Sequence, residues 1–405
     1  MTPPVRILFV FAASLTEARS LLPVRGEVEK EPGVSVICLT TTHIANDERL
    51  TRVQQLLEAQ GISYCTAGLN APLSAKRILK EYEPGVIVLG NDCAIINRFI
   101  VHEAAAQGVP TVLIQEGLLN YFPVMPSKRS MSWLLEHLNT AFFLTRAYFA
   151  NGAVGEWGKA LLKTILRQPI GNQAYGFNEV TLFCVLSEFD AMNFRKNGSP
   201  ARRILPTGIP GLTDTGIGQA YQSSSKRDYD FILFTTCEDQ LLMTSEAQLR
   251  VYQDIVTAIR KVKPGARIGI KFHQLENTRK FSALTGIEVI DTLEMAFARG
   301  RVMVGTTTTV LLQALLLGFP AVSYLPEEHK YQWAESFLMD ASFKLGVQAT
   351  NESDLVAILA RSLTGLEQEP HLVSFREFWA ERLQNSAVAI KNEIIKTYND
   401  HRHPL

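Results

Sequence analysis

The sequence predicts an α/β protein with two parallel-sheet domains, and three observations lead to that prediction. In the first half, short apolar runs alternate with helical patterns, as is typical of a sheet covered by helices on both faces. The same alternation restarts after residue 228. The chain has 405 residues, of which 46% are hydrophobic, so it is too long for one small core.

The first half has the pattern of a doubly wound sheet of the Rossmann type. Its predicted strands are residues 5–11, 34–39, 62–65, 86–89, 111–114 and 181–186. Its predicted helices are residues 14–22, 47–60, 74–82 and 95–107, followed by one that ends at Gly198. Because a helix connects each strand to the next, these strands are expected to run parallel.

Composition divides the chain into domains. The predicted first domain is residues 1–210, with an aromatic-rich helical insertion at about 118–180 and a Pro- and Gly-rich exit that indicates a crossing between domains. Residues 211–228 are rich in Gly, Ser, Thr and Asp, which is typical of a linker. The second Rossmann-like domain is predicted at 229–375, and the helical residues 376–405 are expected to pack back on the first domain.

The predicted elements of the second domain repeat the pattern of the first. The strands are residues 231–234, 267–272, 288–290 and 302–304, and the helices are residues 245–261, a helix from 293, and residues 310–317. Two such domains would face each other across a cleft, with the carboxyl ends of both sheets turned towards it.

Charge and cysteine usage exclude some function classes. The 40 basic and 40 acidic residues balance, so bulk electrostatics give no reason to expect nucleic acid as a partner. The five cysteines have no paired spacing, which favours buried thiols in a reducing compartment over a zinc site. The amino terminus lacks a signal-peptide pattern and its apolar run is too short to span a membrane. We therefore expect a cytoplasmic protein.

The turn after the strand 302–304 is the first candidate site. Gly305 is followed by Thr306, Thr307 and Thr308, and then by an apolar helix. A helix amino terminus offers free N–H groups and a positive dipole end to an anion, and threonine hydroxyls add donors. The turn therefore predicts a phosphate site. The alternative is that one threonine caps the helix and the others face solvent or their own backbone.

Two further strand ends carry polar residues. Gln115, Glu116 and Gly117 follow one strand, and Lys271 and His273 end another. A glutamate in a partly dry cleft can have a pKa suited to deprotonating a sugar hydroxyl, and a histidine can donate to a phosphate. The alternatives are a capping or ion-paired carboxylate and a histidine bonded to a backbone carbonyl.

The insertion contains a basic amphipathic pattern at residues 157–168. Lys159, Lys163 and Arg167 share one helical face, while Trp157 and several aliphatic residues share another. Such a helix can lie on an anionic membrane surface, which would make the protein peripheral at the inner face of the membrane. The pattern favours the alternative, a surface helix packed on its own domain.

This layout resembles the GT-B glycosyltransferases, and most closely the bacterial sialyltransferase, polysialyltransferase and Kdo-transferase-like enzymes of surface polysaccharide synthesis. The likeness in architecture extends over nearly the whole chain. The motifs that carry it are an acidic residue before a glycine, a Lys-Phe-His strand end and a Ser/Thr cluster at the start of a helix. In this chain they are Glu116–Gly117, residues 271–273 and residues 306–308.

The resemblance implies roles for these residues. In that family the acidic residue is the base for the acceptor, and a histidine and a Ser/Thr pair hold the nucleotide phosphate. Carried over by position, Glu116 is the base, and His273, Thr307 and Thr308 contact the phosphate. The chain departs from the family where a glutamine follows His273 in place of proline, and where Gln115 replaces a second acidic residue.

The remaining predicted contacts complete the two halves of the site. Lys271, Gly305 and Thr306 are predicted to contribute to nucleotide binding. Gln313 stands near the place where UDP-sugar enzymes of this type often have a glutamate that holds the ribose, which mildly favours a donor other than UDP. The predicted acceptor contacts are Gln115, Gly117, Asn91 and Asp92.

The sequence thus predicts a glycosyltransferase that moves a sugar from a nucleotide donor to a glycan or lipid-linked glycan. The resemblance favours a CMP-activated acid such as sialic acid or Kdo as the donor. No metal and no cofactor besides the donor are expected, because Asp228 and Asp230 precede a strand and no DxD motif follows one. Helix-end N–H groups, His273 and the threonines would take the place of the metal.

Three other functions remain open. A UDP-N-acetylhexosamine 2-epimerase would need carboxylates and histidines around the sugar, and His43, Asp92 and His102 are candidates for such a set. A CDP-alditol phosphotransferase of similar fold usually has more basic residues for a polyanionic acceptor. The last alternative is a non-catalytic protein that binds glycans or nucleotide sugars.

Overall fold

The computed structural model describes residues 4–12, 14–42, 48–67, 74–117, 145–155, 157–158, 175–213, 227–236, 244–273, 276–306, 308–326, 345 and 347–402. The chain forms two compact units. The first comprises Met1–Gly117, Arg129–Gly211 and Leu383–Leu405, and the second comprises Leu118–Lys128 and Leu212–Arg382.

The first unit contains a parallel sheet in the order β3-β2-β1-β4-β5-β6-β7. Strands β4, β5 and β6 are buried along their whole length, which explains their predominantly apolar sequences. The strand order reverses between β1 and β4, so the crevice for ligands is expected at their carboxyl ends. The strands are β1 (Val5–Phe11), β2 (Val34–Thr41), β3 (Cys65–Ala67), β4 (Val86–Leu89), β5 (Thr111–Ile114), β6 (Leu182–Val185) and β7 (Arg203–Pro206).

Helices connect these strands and begin at side-chain caps. The hydroxyl groups of Ser14, Ser74 and Ser187 each accept a hydrogen bond from a backbone N–H three residues later. Gly61 and Gly198, near two helix ends, have positive φ angles of 69° and 78° that favour glycine. The helices are α1 (Leu15–Glu29), α2 (Glu48–Ala59), α3 (Ala75–Tyr82), α4 (Ile95–Ala106) and α5 (Glu188–Lys196).

The second unit repeats this arrangement with a parallel sheet in the order β10-β9-β8-β11-β12-β13. The strand order reverses between β8 and β11, which places a second crevice at their carboxyl ends. Gly305 is the last residue of β11 and pairs with Phe234 of β8. A Cβ added to Gly305 would lie 2.9 Å from the Phe234 carbonyl oxygen, so a glycine is favoured here. The strands are β8 (Tyr229–Phe234), β9 (Ile268–Lys271), β10 (Ile287–Val289), β11 (Gly300–Gly305), β12 (Ala321–Tyr324) and β13 (Gln348–Ala349).

Five helices complete the described part of this half of the chain. They are α6 (Ser245–Val262), α7 (Leu293–Arg299), α8 (Thr309–Leu316), α9 (Glu352–Ser362) and α10 (Pro370–Gln384). The chain rejoins the first unit at Leu383 and continues as α11 (Ser386–Arg402). Ile390 and Ile394 of α11 are fully buried in the core formed by β1 and α1, so this helix covers one face of the first sheet.

Most predicted strands are confirmed, and the differences have physical causes. The strand expected at 62–65 is found at Cys65–Ala67. Ile62, whose apolar side chain led to the earlier predicted start, is buried in the segment before the strand. The exit after Gly198, interpreted as a crossing between domains, contains the edge strand β7, where Pro206 is tolerated. Helix α1 continues to Glu29 through Pro23.

The insertion at 118–180 is described only at residues 145–155, 157–158 and 175–180, with helical turns at 145–150. Of the basic pattern at 157–168, only the first two residues are described, so the prediction of a helix there lies outside the described residues. No helix in the described ranges is both long enough and apolar enough to cross a bilayer.

Candidate active site

Glu116 lies directly after β5, at the carboxyl edge of the first sheet, and is half-buried. The Ser14 hydroxyl donates to Glu116 Oε2 at 3.0 Å, and Asn91 Nδ2 donates to Glu116 Oε1 at 3.3 Å. Ser14 follows β1 and Asn91 follows β4. The carboxylate is therefore held where the strand order reverses.

The electrostatics of Glu116 suit a general base. Burial raises its pKa to about 7, against the opposing effect of the hydrogen bonds from Ser14 and Asn91, and the Asp92 charge raises it further. A carboxyl group with this pKa is about half ionised at neutral pH. It can accept a proton from a hydroxyl and release it without a large free-energy penalty.

Glu17 is a second buried carboxyl group in this region, and the sequence analysis missed it. Its Oε2 accepts from the Ala12 backbone N–H at 2.8 Å, and its Oε1 accepts from the Gly90 N–H at 3.1 Å. Burial, followed by the Glu116 charge, raises the pKa of Glu17 well above its usual range. An added Cβ on Gly90 would lie 2.4 Å from Glu17 Cγ, so the close approach requires glycine. Glu17 thus ties the ends of β1 and β4 together.

Gln115 and Asp92, two of the predicted acceptor contacts, are fully buried, and both side chains are bonded to the protein itself. An acceptor contact by either side chain stays a prediction. Gln115 Nε2 donates to the Gly117 carbonyl at 2.8 Å, and its Oε1 accepts from the Leu186 N–H at 2.8 Å. Asp92 accepts from the N–H groups of Gly176 and Asn178 and from the Asn178 side chain. Of the predicted acceptor contacts, Asn91 lies beside Glu116.

Tyr175, near the end of the insertion, was not predicted as part of the site. Its hydroxyl oxygen lies 2.6 Å from the carbonyl oxygens of both Gly90 and Ile114, at the ends of β4 and β5. Burial, with the Glu116 charge next, raises the pKa of Tyr175 well above its usual value, so the group stays a donor. No local pattern could have placed Tyr175 here, since these partners are 85 and 61 residues away.

The second unit brings three strand ends together. The His273 backbone N–H donates to Thr235 Oγ1 at 2.9 Å, which joins the ends of β9 and β8. The hydroxyl groups of Thr236 and Thr306 are 3.0 Å apart, which joins the ends of β8 and β11. The predicted residues His273 and Thr306 therefore lie at one edge of one sheet, together with two threonines that the sequence analysis did not single out.

Lys271 and His273 differ in charge at neutral pH. Burial, and then the Lys271 charge, lower the pKa of His273 below its usual value, so the imidazole is neutral near pH 7. Lys271 Nζ donates to the Phe272 carbonyl at 2.6 Å. A neutral imidazole carries one ring N–H.

The threonine turn contains a helix cap, which is the alternative to a phosphate site that the sequence allows. Thr308 Oγ1 accepts from the Val310 N–H at 3.3 Å and caps α8. This cap leaves the hydroxyl proton of Thr308 able to donate. Thr307 lies outside the described residues. Gln313 is on α8 and is 8% exposed.

A buried polar network lies beneath this edge. Gln248 of α6 donates to the Thr236 carbonyl, and to Glu276 Oε2 at 3.2 Å. Lys280 Nζ lies 2.5 Å from Glu276 Oε1, and these two side chains are 8% and 0% exposed. The i,i+4 spacing of Glu276 and Lys280 could have indicated the pair, but not its burial.

The residues proposed for an epimerase set do not form a cluster in the described part of the chain. Asp92 is buried and bonded to the segment 176–178. His102 is exposed on α4. His43 lies outside the described residues.

Comparison with solved structures identifies proteins whose fold is similar to that of this chain. No protein-family model matches this chain, and no curated protein matches it. The UDP-GlcNAc 2-epimerase of Neisseria meningitidis, bound to UDP-GlcNAc, is 13% identical over 97% of this chain and 100% of that one, with a TM-score of 0.55. The calicheamicin glycosyltransferase CalG4 is 13% identical over 98% and 99%, with a TM-score of 0.51. The wall teichoic acid polymerase TagF is 11% identical over 100% and 90%, with a TM-score of 0.52.

This chain has the GT-B fold. Its two parallel sheets of Rossmann type confirm the fold class predicted from the sequence. The neighbours with this fold include both glycosyltransferases and UDP-GlcNAc 2-epimerases. Because one fold hosts both reactions, the reaction has to be argued from the residues of the site.

Proposed function

We propose that this GT-B protein is a glycosyltransferase that moves a sugar from a nucleotide donor to a hydroxyl group of a glycan or lipid-linked glycan, without a metal cofactor. The observation that carries the proposal is Glu116, a half-buried carboxyl group at the strand-order reversal with a pKa raised to about 7. Its two oxygens are each held by a side-chain donor, Ser14 and Asn91. That arrangement supports proton removal from a hydroxyl.

In the proposed reaction, the sugar passes from the nucleotide phosphate to the acceptor hydroxyl group. The acceptor hydroxyl gives its proton to Glu116, and its oxygen forms a bond to the anomeric carbon of the donor sugar. The bond from that carbon to the nucleotide phosphate breaks, and its electron pair leaves with the phosphate. The amino terminus of α8, the His273 ring N–H and the threonine hydroxyls would stabilise the negative charge on the departing phosphate.

The donor we propose is CMP-linked, such as an activated sialic acid or Kdo. Its support is the sequence resemblance, together with a neutral His273 beside the threonine turn and Gln313 in place of a glutamate. The second candidate is a UDP-N-acetylhexosamine 2-epimerase, which the full-length likeness to such enzymes favours. The positions of Asp92 and His102 count against it.

Nucleotide-dependent thermal stabilisation tests the donor assignment. A nucleotide at a hundred times its Kd stabilises the folded state by about 2.7 kcal/mol, which raises the melting temperature by several degrees. We expect CMP to produce this shift, and CDP, UDP and GDP to produce less. We also expect His273→Ala to reduce the CMP shift. A shift with UDP alone would favour a UDP-sugar transferase or the epimerase.

The matched control for His273 is His371→Ala in the same unit. His371 lies at the start of α10, and its side chain is 34% exposed. Its Nε2 lies 3.0 Å from the Leu345 carbonyl oxygen. We expect this variant to keep the full nucleotide shift. Equal losses in the two variants would contradict a nucleotide contact by His273.

We also propose that the surface formed by Phe149 and Val154 contacts an anionic membrane. These side chains are 53% and 48% exposed, and Trp157 packs edge-to-face on Phe149 at 5.8 Å between ring centroids. The sequence that follows carries three basic residues at four-residue spacing, which is complementary to anionic lipid. Inserting one large apolar side chain contributes about 1.5–3 kcal/mol at most.

Phe149→Ser is therefore expected to reduce co-sedimentation with phosphatidylglycerol-containing vesicles by about tenfold. Phe378 supplies the matched control, because it is 52% exposed and lies on α10. Phe378→Ser should leave vesicle binding unchanged. Equal losses in the two variants, or no vesicle binding by the unaltered protein, would refute membrane contact at this surface.

A further inference from the structure

Asn91 can donate to Glu116 only because its amide group is fixed in one orientation. Asn91 Oδ1 accepts from the backbone N–H groups of Cys93 at 2.8 Å and Ala94 at 3.0 Å. With its oxygen engaged in this turn, the amide must present Nδ2 to Glu116 Oε1. An amide N–H can donate and cannot accept, so this contact favours the ionised form of Glu116.

The loop that carries Asn91 is held in turn by Asn97, in the first turn of α4. Asn97 is fully buried, and its Nδ2 donates to the Asn91 carbonyl oxygen at 2.6 Å. The amide oxygen of Asn97 accepts from the Thr41 hydroxyl, at the end of β2, at 2.9 Å. This second bond fixes the amide of Asn97 in the orientation that points Nδ2 at Asn91. A chain of directed hydrogen bonds therefore runs from Thr41 through Asn97 and Asn91 to Glu116.

We propose that Asn97, oriented by Thr41, is a positioning residue that holds the Asn91 amide against Glu116 and so sets the proton affinity of the base. Asn97 itself is fully buried and would act through the loop. The kinetic part of this proposal rests on the proposed glycosyltransferase function, whereas the electrostatic part does not.

The other groups that face Glu116 come from different elements. Glu17 lies on α1, Asp92 and Cys93 lie in the loop after β4, and Tyr175 lies near the end of the insertion. Arg98 on α4 is the cation that acts on Cys93. Only Asp92 and Cys93 share the loop that Asn97 holds. Asp92 is also anchored to residues 176–178, so loss of the Asn97 side chain should act mainly through Asn91.

The test is the titration of the Glu116 carboxyl carbon by NMR, in protein labelled with ¹³C at glutamate side chains. The Glu116→Gln variant identifies the signal. We expect a midpoint near pH 7 in the unaltered protein. In Asn97→Ala it should move upward by about one pH unit, because the ionised form loses a donor. Thr41→Val should give a smaller upward shift, and Thr41→Ser should restore the original midpoint.

Asn193→Ala is the matched control, since Asn193 on α5 is 4% exposed and the substitution removes the same atoms from the same unit. The melting temperature of each variant shows whether it is folded. An unchanged midpoint in a folded Asn97→Ala variant, or an equal shift in Asn193→Ala, would overturn the proposal. If the titration shifts as expected and no sugar transfer is found, the positioning role stands and the proposed function fails.

In an active enzyme the same variants have a kinetic readout. The pH at which kcat rises should move with the Glu116 midpoint in Asn97→Ala, while the KM for the donor stays unchanged. A raised donor KM with an unmoved pH profile would contradict the positioning role.

Discussion

Replacing Glu116 with glutamine is expected to lower the rate of sugar transfer by about a hundred- to ten-thousandfold, the usual contribution of a general base. The substitution keeps the shape of the side chain. The amide oxygen can accept from Asn91 Nδ2, and the NH₂ group can donate to the Ser14 hydroxyl oxygen. In the unaltered enzyme, kcat/KM should rise through about pH 7 as Glu116 ionises. Measurement of transfer rates from pH 5 to 9 checks both expectations.

The same substitution is expected to stabilise the folded protein in alkaline solution. The pKa of Glu116 is higher in the folded state than its ordinary value of 4.5, so folding favours the protonated form. The free energy of unfolding therefore falls as pH rises from about 4.5 to 7 and stays level above that. A glutamine avoids this loss, which after allowance for solvent screening is about 1–3 kcal/mol.

Thermal denaturation checks this sign directly. The melting temperature of Glu116→Gln should match that of the unaltered protein at pH 5 and exceed it by a few degrees at pH 8. A variant that is less stable at pH 8 would mean that the ionised Glu116 contributes to folding. A variant that retains full transfer activity would remove Glu116 from the role of base.

Glu17→Gln is expected to have the opposite effect on stability. The Glu17 oxygens accept from the backbone N–H groups of Ala12 and Gly90 in a fully buried position. A glutamine would turn an NH₂ group towards one of these donors and leave that N–H without an acceptor, at a cost of about 1–3 kcal/mol. Denaturant titration at pH 4, where Glu17 is mostly protonated in both the folded and the unfolded protein, should show this loss. A Glu17→Gln protein of unchanged stability would contradict the role of Glu17 in joining β1 and β4.

The repeating strands and helices could be predicted from the sequence because their signals are local. The strand Val5–Phe11 is a nearly continuous apolar run, interrupted only by Arg6, and Ser14 caps the helix behind it. Glu116 and His273 could be found because they follow buried strands, whose carboxyl ends meet at one edge of a sheet.

The supporting residues could not be predicted, because their partners are distant in sequence. Tyr175 contacts residues 85 and 61 positions away, and Asn97 is oriented by Thr41, 56 positions away. Glu17 did have a local signal, the Ser-x-x-Glu pattern at 14–17 that is typical of a capping box. That pattern predicts a bond from Glu17 to the N–H of Ser14, whereas the carboxylate accepts from Ala12 and Gly90.

Product analysis by mass spectrometry shows directly whether this protein transfers a sugar from a CMP-linked donor. The protein would be incubated with CMP-, CDP-, UDP- and GDP-linked sugars, each with and without a panel of neutral and acidic glycan acceptors, beside the Glu116→Gln variant. With the unaltered protein we expect release of CMP together with an acceptor that is heavier by one sugar. With Glu116→Gln we expect neither product. Conversion of UDP-N-acetylhexosamine to its 2-epimer, with no acceptor gaining mass under any condition, would contradict it.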